Sequence, residues 1–135
     1  ENWATPHFAG LAEQKSRRPL HEIMKKYYHK KLIRDRIPEI IESNKGIYET
    51  RVLNDSEFET ELKKKLLEEA RELISAKSGE ELNELADVLE IVKSLSSHYK
   101  IPFNELQKYQ LEKRRKRGGF KKKLFLLWSN QPAGK

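Results

Sequence analysis

Two helix-forming runs follow each other between Asn54 and His98 with almost nothing between them. Asn54 and Glu57 have the spacing of a capping box, in an N-x-x-E variant, and Leu53 and Phe58 stand where a hydrophobic staple would put them. A helix is therefore predicted over 55–77, with Phe58, Leu62, Leu66, Ala70, Leu73 and Ile74 along one face. Ser78 and Glu81 make a second box, which predicts a helix over 79–98 whose Leu82, Leu85, Leu89 and Val92 recur every three or four residues. So short a connection leaves one arrangement, an antiparallel helical hairpin.

The flanks are weaker in signal. Residues 1–20 show no periodicity, and residues 21–30 predict a short helix carrying Ile23, Met24, Tyr27 and Tyr28. Pro38 suits the first turn of a helix that Asn44–Gly46 ends. Pro102 opens another, which runs to about Arg117 and stops at Gly118–Gly119. Tyr48–Leu53 and Lys122–Trp128 alternate like short strands, and their pairing would make one small sheet, residues 48–53 against 122–128. The expected class is mainly all-α.

Composition narrows what such a chain can do. It has 135 residues and no cysteine, which excludes a disulfide framework, a thiol nucleophile and any Cys-ligated metal. No apolar run approaches a membrane span and no signal-peptide core opens the chain, so a cytoplasmic protein with no membrane partner is expected. Only 36% of residues are hydrophobic, a thin core for one chain, which favours burial of further faces in an oligomer. The net charge of +7 is divided unevenly. Residues 1–36 carry +5, residues 37–107 carry nine basic and sixteen acidic side chains for −7, and residues 108–123 carry +8. The total alone would suggest nucleic acid. The division suggests instead an acidic cluster able to hold cations, beside basic groups able to meet phosphates, and makes nucleic acid the lesser expectation.

Four acidic residues fit that description. Glu69 and Glu72 lie three apart on the first helix, and Glu84 and Asp87 three apart on the second, so each pair shares a helix side. At 100° per residue from Leu82, Glu84 falls near ~200°, inside the apolar arc between Ile91 and Leu95, and Asp87 near ~140°, at its edge. Glu69 neighbours Leu62 on the other helix by the same count. A buried ionised carboxylate must be paired or hold a metal, and Mg²⁺ takes oxygen ligands together with substrate phosphates. Acidic i,i+3 pairs are also frequent on solvated helix faces, and periodicity does not separate the two readings.

KLLEEARELI (65–74) followed by EELNELADVLEIV (80–92) resembles the all-α nucleoside triphosphate pyrophosphatases, the MazG-like superfamily, with E-x-x-E on one helix and E-x-x-D on the next. KLIRDRIPEII (31–41) and KRRKRGGF (113–120) look like its house-cleaning subgroup, related to phosphoribosyl-ATP pyrophosphohydrolase. The resemblance covers about residues 29–127. It implies an N-terminal extension over 1–28, a pyrophosphatase domain over 29–128 and a tail over 129–135.

By that resemblance, Glu69, Glu72, Glu84 and Asp87 are the metal ligands, and Lys113 and Arg117 contact the triphosphate. Lys31, Arg34 and Asp35 belong to the N-terminal signature and are candidate substrate contacts. The implied reaction is Mg²⁺-dependent hydrolysis between the α- and β-phosphates of an ordinary or noncanonical nucleoside triphosphate, giving monophosphate and pyrophosphate. One or two ions serve each site, Mn²⁺ being an alternative, and Glu69 or Glu72 orients the attacking water. Phosphoribosyl-ATP is the second substrate. The resemblance also implies a homo-oligomer, a dimer or tetramer in which hairpins pair as a four-helix bundle. A different class of function stays open: a non-enzymatic helical module that binds RNA or protein through its basic ends.

Overall fold

The computed structural model describes residues 25–132. The chain divides into two units, Glu1–Lys31 and Leu32–Lys135. The second contains four helices: α1 (Ile37–Ser43), α2 (Asp55–Ile74), α3 (Glu81–His98) and α4 (Phe103–Arg117). The fold is all-α, with no strand among the described residues. Among the described residues no helix is long and apolar enough to cross a membrane.

α2 begins as its sequence dictates. The Asn54 side chain accepts from the Glu57 N–H at 2.8 Å, and the Glu57 carboxylate accepts from the Asn54 N–H at 3.4 Å. Arg51 grips the same carboxylate at 2.6 Å and holds its pKa below the usual range. α2 stops at Ile74, short of the expected Lys77, and Ser75 Oγ turns back to the Arg71 carbonyl at 3.0 Å.

The second capping box does not form. Lys77–Glu80 close a turn (Glu80 N–H to the Lys77 carbonyl, 3.0 Å) with Gly79 in its third position at φ 96°. That geometry favours glycine, and it places Ser78 inside the turn, too early to cap. Glu80 becomes the N-cap. Its carboxylate and that of Glu81 instead accept from the N–H groups of Lys77 (3.2 Å) and Gly79 (2.7 Å).

α2 and α3 pack as the antiparallel hairpin, and α4 makes close helix contact with α3 alone. Leu62 and Ile91 are the fully buried hydrophobic residues among those described, with Phe58, Leu66, Leu73, Val88 and Leu95 half-buried around them. The expected core faces need correction at their edges. Leu82, Leu85 and Leu89 are exposed, Leu82 at 81%, and so is Ile74 at 84%. The apolar arc of α3 is wider than one neighbouring helix can cover. α2 takes the edge bearing Glu84, Ile91 and Leu95, and the leucine edge is left outside.

α1 and α3 both end in Schellman motifs with lysine in the left-handed position, where glycine is usual. After α3, Lys100 sits at φ 59°, with the Ile101 N–H bonded to the Ser96 carbonyl at 2.8 Å and the Lys100 N–H to the Ser97 carbonyl at 2.9 Å. Ser96 Oγ donates to the Ile101 carbonyl at 2.7 Å and sets the turn that delivers Pro102 as the α4 N-cap. Gly118, at φ 84°, ends α4.

Neither expected strand is present. Residues 48–53 and 122–128 lack regular structure and do not pair. A ladder needs a neighbouring backbone about 4.8 Å away, and each segment leads or leaves a helix with its side chains mostly in solvent; Val52 is 97% exposed. Of the helix expected over 21–30, residues 21–24 lie outside the described residues and 25–30 are not helical, Lys30 having φ 46°.

Candidate metal centre

Glu69 occupies a core position. It follows Leu62 and Leu66 along α2 at 3–4 residue spacing and is 8% exposed. Glu72, one turn on, is exposed, and α3 brings the half-buried Glu84 to meet them. One carboxylate oxygen from each of Glu69, Glu72 and Glu84 lies within 4.8 Å of the other two. Glu69 Oε2 and Glu84 Oε2 are buried without a hydrogen-bond partner.

Lys65 Nζ stands 3.8 Å from Glu69 Oε1. Burial pushes the Glu69 carboxyl above its ordinary pKa, as do its hydrogen bond to Glu72 and the charges of Glu72 and Asp87, while Lys65 opposes them. Burial raises Glu84 too, followed by the charges of Glu72 and Asp87, with the Asn83 side chain opposing. Two acids thus resist ionising, first because they are buried and then because a third and fourth are near.

These residues fit a hard divalent cation. The donor set is carboxylate oxygen alone, the kind that takes Mg²⁺ or Mn²⁺ in preference to softer metals. Two of its oxygens lack a hydrogen-bond partner, and an ion among them would offset both the cost of burying the charges and their mutual repulsion.

Asp87, the fourth expected ligand, is engaged elsewhere. Arg34 Nη2 lies 2.7 Å from Asp87 Oδ1, joining the segment before α1 to the middle of α3. The structure therefore gathers three of the four carboxylates at ligand spacing and ties the fourth to Arg34. Asp35 is exposed in the turn before α1, with no side-chain hydrogen bond or ion pair among the described residues. Lys31 is exposed and belongs to the N-terminal unit.

Lys113 and Arg117 are exposed on α4, and neither forms an ion pair with a carboxylate among the described residues. Lys113 Nζ lies 5.9 Å from the centre of the Tyr109 ring. Among the described residues no hydrogen bond or ion pair brings the two cations to the cluster.

Lys65 was not singled out by its pattern. Its run of three lysines reads as a solvated face, yet its side chain is largely buried beside Glu69. The signal was the i,i+4 spacing from Lys65 to Glu69. The Arg34–Asp87 pair, 53 residues apart, had no such signal. No protein-family profile, curated protein or solved structure matches the chain.

Proposed function

We propose that this chain is a Mg²⁺-dependent nucleotide pyrophosphohydrolase of the MazG-like kind, cleaving a nucleoside triphosphate between its α- and β-phosphates. The observation that carries the proposal is the meeting of Glu69, Glu72 and Glu84 across two helices, with two buried oxygens unpartnered. An isolated acidic face on one solvated helix would have neither property. The E-x-x-E and E-x-x-D motifs, in order with the KLIRDRIPEII and KRRKRGGF segments, connect that cluster to nucleotide chemistry.

In this reading Glu69, Glu72 and Glu84 hold the ion, and Asp87 completes the set once Arg34 turns to substrate. Mg²⁺ bound there supplies charge for the phosphate oxygens and a water of lowered pKa. Glu72, the solvent-facing carboxylate, orients the attacking water. Arg34, already beside the cluster through Asp87, is placed to take a phosphate bidentately. Lys113 and Arg117 contact the pyrophosphate end from a second copy of the chain, so the proposal includes a homo-oligomer, and a cytoplasmic setting where nucleotides are abundant.

The test is a panel of ordinary and noncanonical nucleoside triphosphates and phosphoribosyl-ATP, assayed for pyrophosphate release with and without Mg²⁺. Release that needs Mg²⁺ and disappears in Glu84→Gln supports the proposal. Absence of turnover across the panel, with RNA binding that falls steeply as salt rises, would replace the enzyme with a binding module.

A further inference from the structure

Among the described residues, a long exposed apolar stretch lies past α4. Every residue from Lys113 to Pro132 is exposed, including Leu124, Phe125, Leu126, Leu127 and Trp128, the last at 83%. Five consecutive large apolar residues in water call for a cover. The same molecule carries a second uncovered apolar surface, the Leu82–Leu85–Leu89 edge of α3.

We propose that these two surfaces belong together across two copies of the chain: the arm Leu124–Trp128 of each copy lies along the leucine edge of α3 in the other. Dimensions support the match. In an extended arm Leu124, Leu126 and Trp128 point to one side over about 13 Å. Leu82 and Leu89 are separated by about 10 Å of helix rise, somewhat less than the arm's length.

Charge sets the direction. Lys121, Lys122 and Lys123 immediately precede the arm, and Glu80 and Glu81 immediately precede Leu82. Pairing those blocks runs the arm parallel to α3, with Trp128 toward Leu89. On a larger scale the +8 of residues 108–123 meets the −7 of residues 37–107.

The area is of the right order. Trp128 buries roughly 150–250 Å² when covered. Reciprocal docking doubles that and adds Leu124 and Leu126 of each arm and the two helix faces, which approaches the ~1,200 Å² at the lower end of a specific interface. Exchange of arms about a two-fold axis also closes the assembly, so no free edge remains to propagate.

Sedimentation equilibrium of the full chain should give twice the chain mass at micromolar concentration. Leu126→Asp on the arm and Leu85→Asp on α3 should each weaken the dimer at least 100-fold, with helical circular dichroism unchanged. Because the chain has no cysteine, single cysteines report the contact directly. A mixture of Leu85→Cys and Leu126→Cys proteins should form a disulfide-linked heterodimer on mild oxidation.

Four results would overturn the proposal. One is a wild-type chain that stays monomeric at about 100 μM, a concentration that excludes any dimer of useful affinity. Another is a dimer that both Asp variants leave intact. The third is an intrachain disulfide in a monomeric Leu85→Cys/Leu126→Cys double variant, because the arm would then cover its own helix. The last is a monomer whose arm is protected by anionic lipid vesicles, because a Lys-flanked aromatic segment would then be serving a membrane surface.

Discussion

The two ends of the α2–α3 hairpin treat a carboxylate in opposite ways. At the open end, Glu59 accepts from Tyr99 Oη and from Lys63 Nζ at 3.0 Å, with His98 Nε2 at 3.7 Å. Those hydrogen bonds, the Tyr99 one foremost, hold its pKa below the ordinary value. Phe58 packs edge-on to His98 at 5.7 Å, and Leu62 and Ile91 close the core nearby. At the turn end, Glu69 and Glu84 enter the same interface with two oxygens unpartnered and their pKa values raised. One end has been neutralised for stability. The other keeps a concentration of negative charge that folding alone does not require.

The largest effect expected from breaking that contrast falls on activity. Glu69→Gln removes the most buried of the proposed ligands and should lower the Mg²⁺-dependent rate at least 10³-fold, about 4 kcal/mol of transition-state stabilisation. In EDTA the same variant should melt at the wild-type temperature or above it, because a buried carboxylate repelled by Glu72 and Asp87 has gone. A variant that keeps full Mg²⁺-dependent turnover, or that unfolds in EDTA, would return Glu69 to the structural class of Glu59.

At the open end the signs reverse. Leu62→Ala should lower stability by about 3 kcal/mol through lost burial and the cavity left behind, measured by urea denaturation. Mg²⁺ affinity measured by calorimetry should stay within a few-fold of wild type under conditions where the variant remains folded. A large loss of Mg²⁺ binding would mean that the two ends are not separable.

The pH dependence compares the ends in a single molecule. Glu69 and Glu84 have folded pKa values above their unfolded ones, so the native state binds more protons between the two values. Their penalty is fully present above the raised pKa values, and it is relieved as pH falls toward the ordinary carboxylate range. Glu57 and Glu59 are depressed, so their contribution is present above the ordinary value and is lost as pH falls through the lower folded one. In EDTA, stability should therefore rise as pH drops from neutral toward the ordinary carboxylate range and decline below it. Saturating Mg²⁺ should flatten or invert the rise, because the ion binds the ionised carboxylates. Thermal melts across pH in EDTA and in Mg²⁺ read both limbs; a monotonic loss of stability from neutral pH in EDTA would remove the distinction.

The hairpin was legible in the sequence because its signals are local. The Asn54–Glu57 box, the 3–4 spacing around Leu62 and the Pro102 and Gly118 boundaries each act within one helical turn. Glu84 could be placed inside the apolar arc of α3 for the same reason. The arc itself extends further than one neighbour covers, and periodicity cannot say which edge α2 takes. Leu82, Leu85 and Leu89 were therefore expected inside and lie outside. Ser78 failed as a cap because Gly79 needs the turn that displaces it. The strands over 48–53 and 122–128 needed a non-local partner that alternation does not supply. Arg34 reaching Asp87, and α4 leaving Lys113 and Arg117 apart from the carboxylates, depend on chain directions that no short motif encodes.

The smallest effect expected lies at the α3 exit, and it tests whether the open end is as close to optimal as its pairing implies. Lys100 holds a left-handed conformation that costs an L-residue roughly 1–2 kcal/mol. Glycine adopts it freely but loses more backbone entropy on folding. Lys100→Gly should therefore stabilise the protein by about 0.5 kcal/mol, read as a small upward shift in the urea midpoint at unchanged slope. Mg²⁺ affinity should not move, since Lys100 is at the end of α3 opposite Glu84. A loss of stability would mean that the Lys100 side chain carries an interaction worth more than its backbone strain, and would place a further stabilising contact at the end of the hairpin already richest in them.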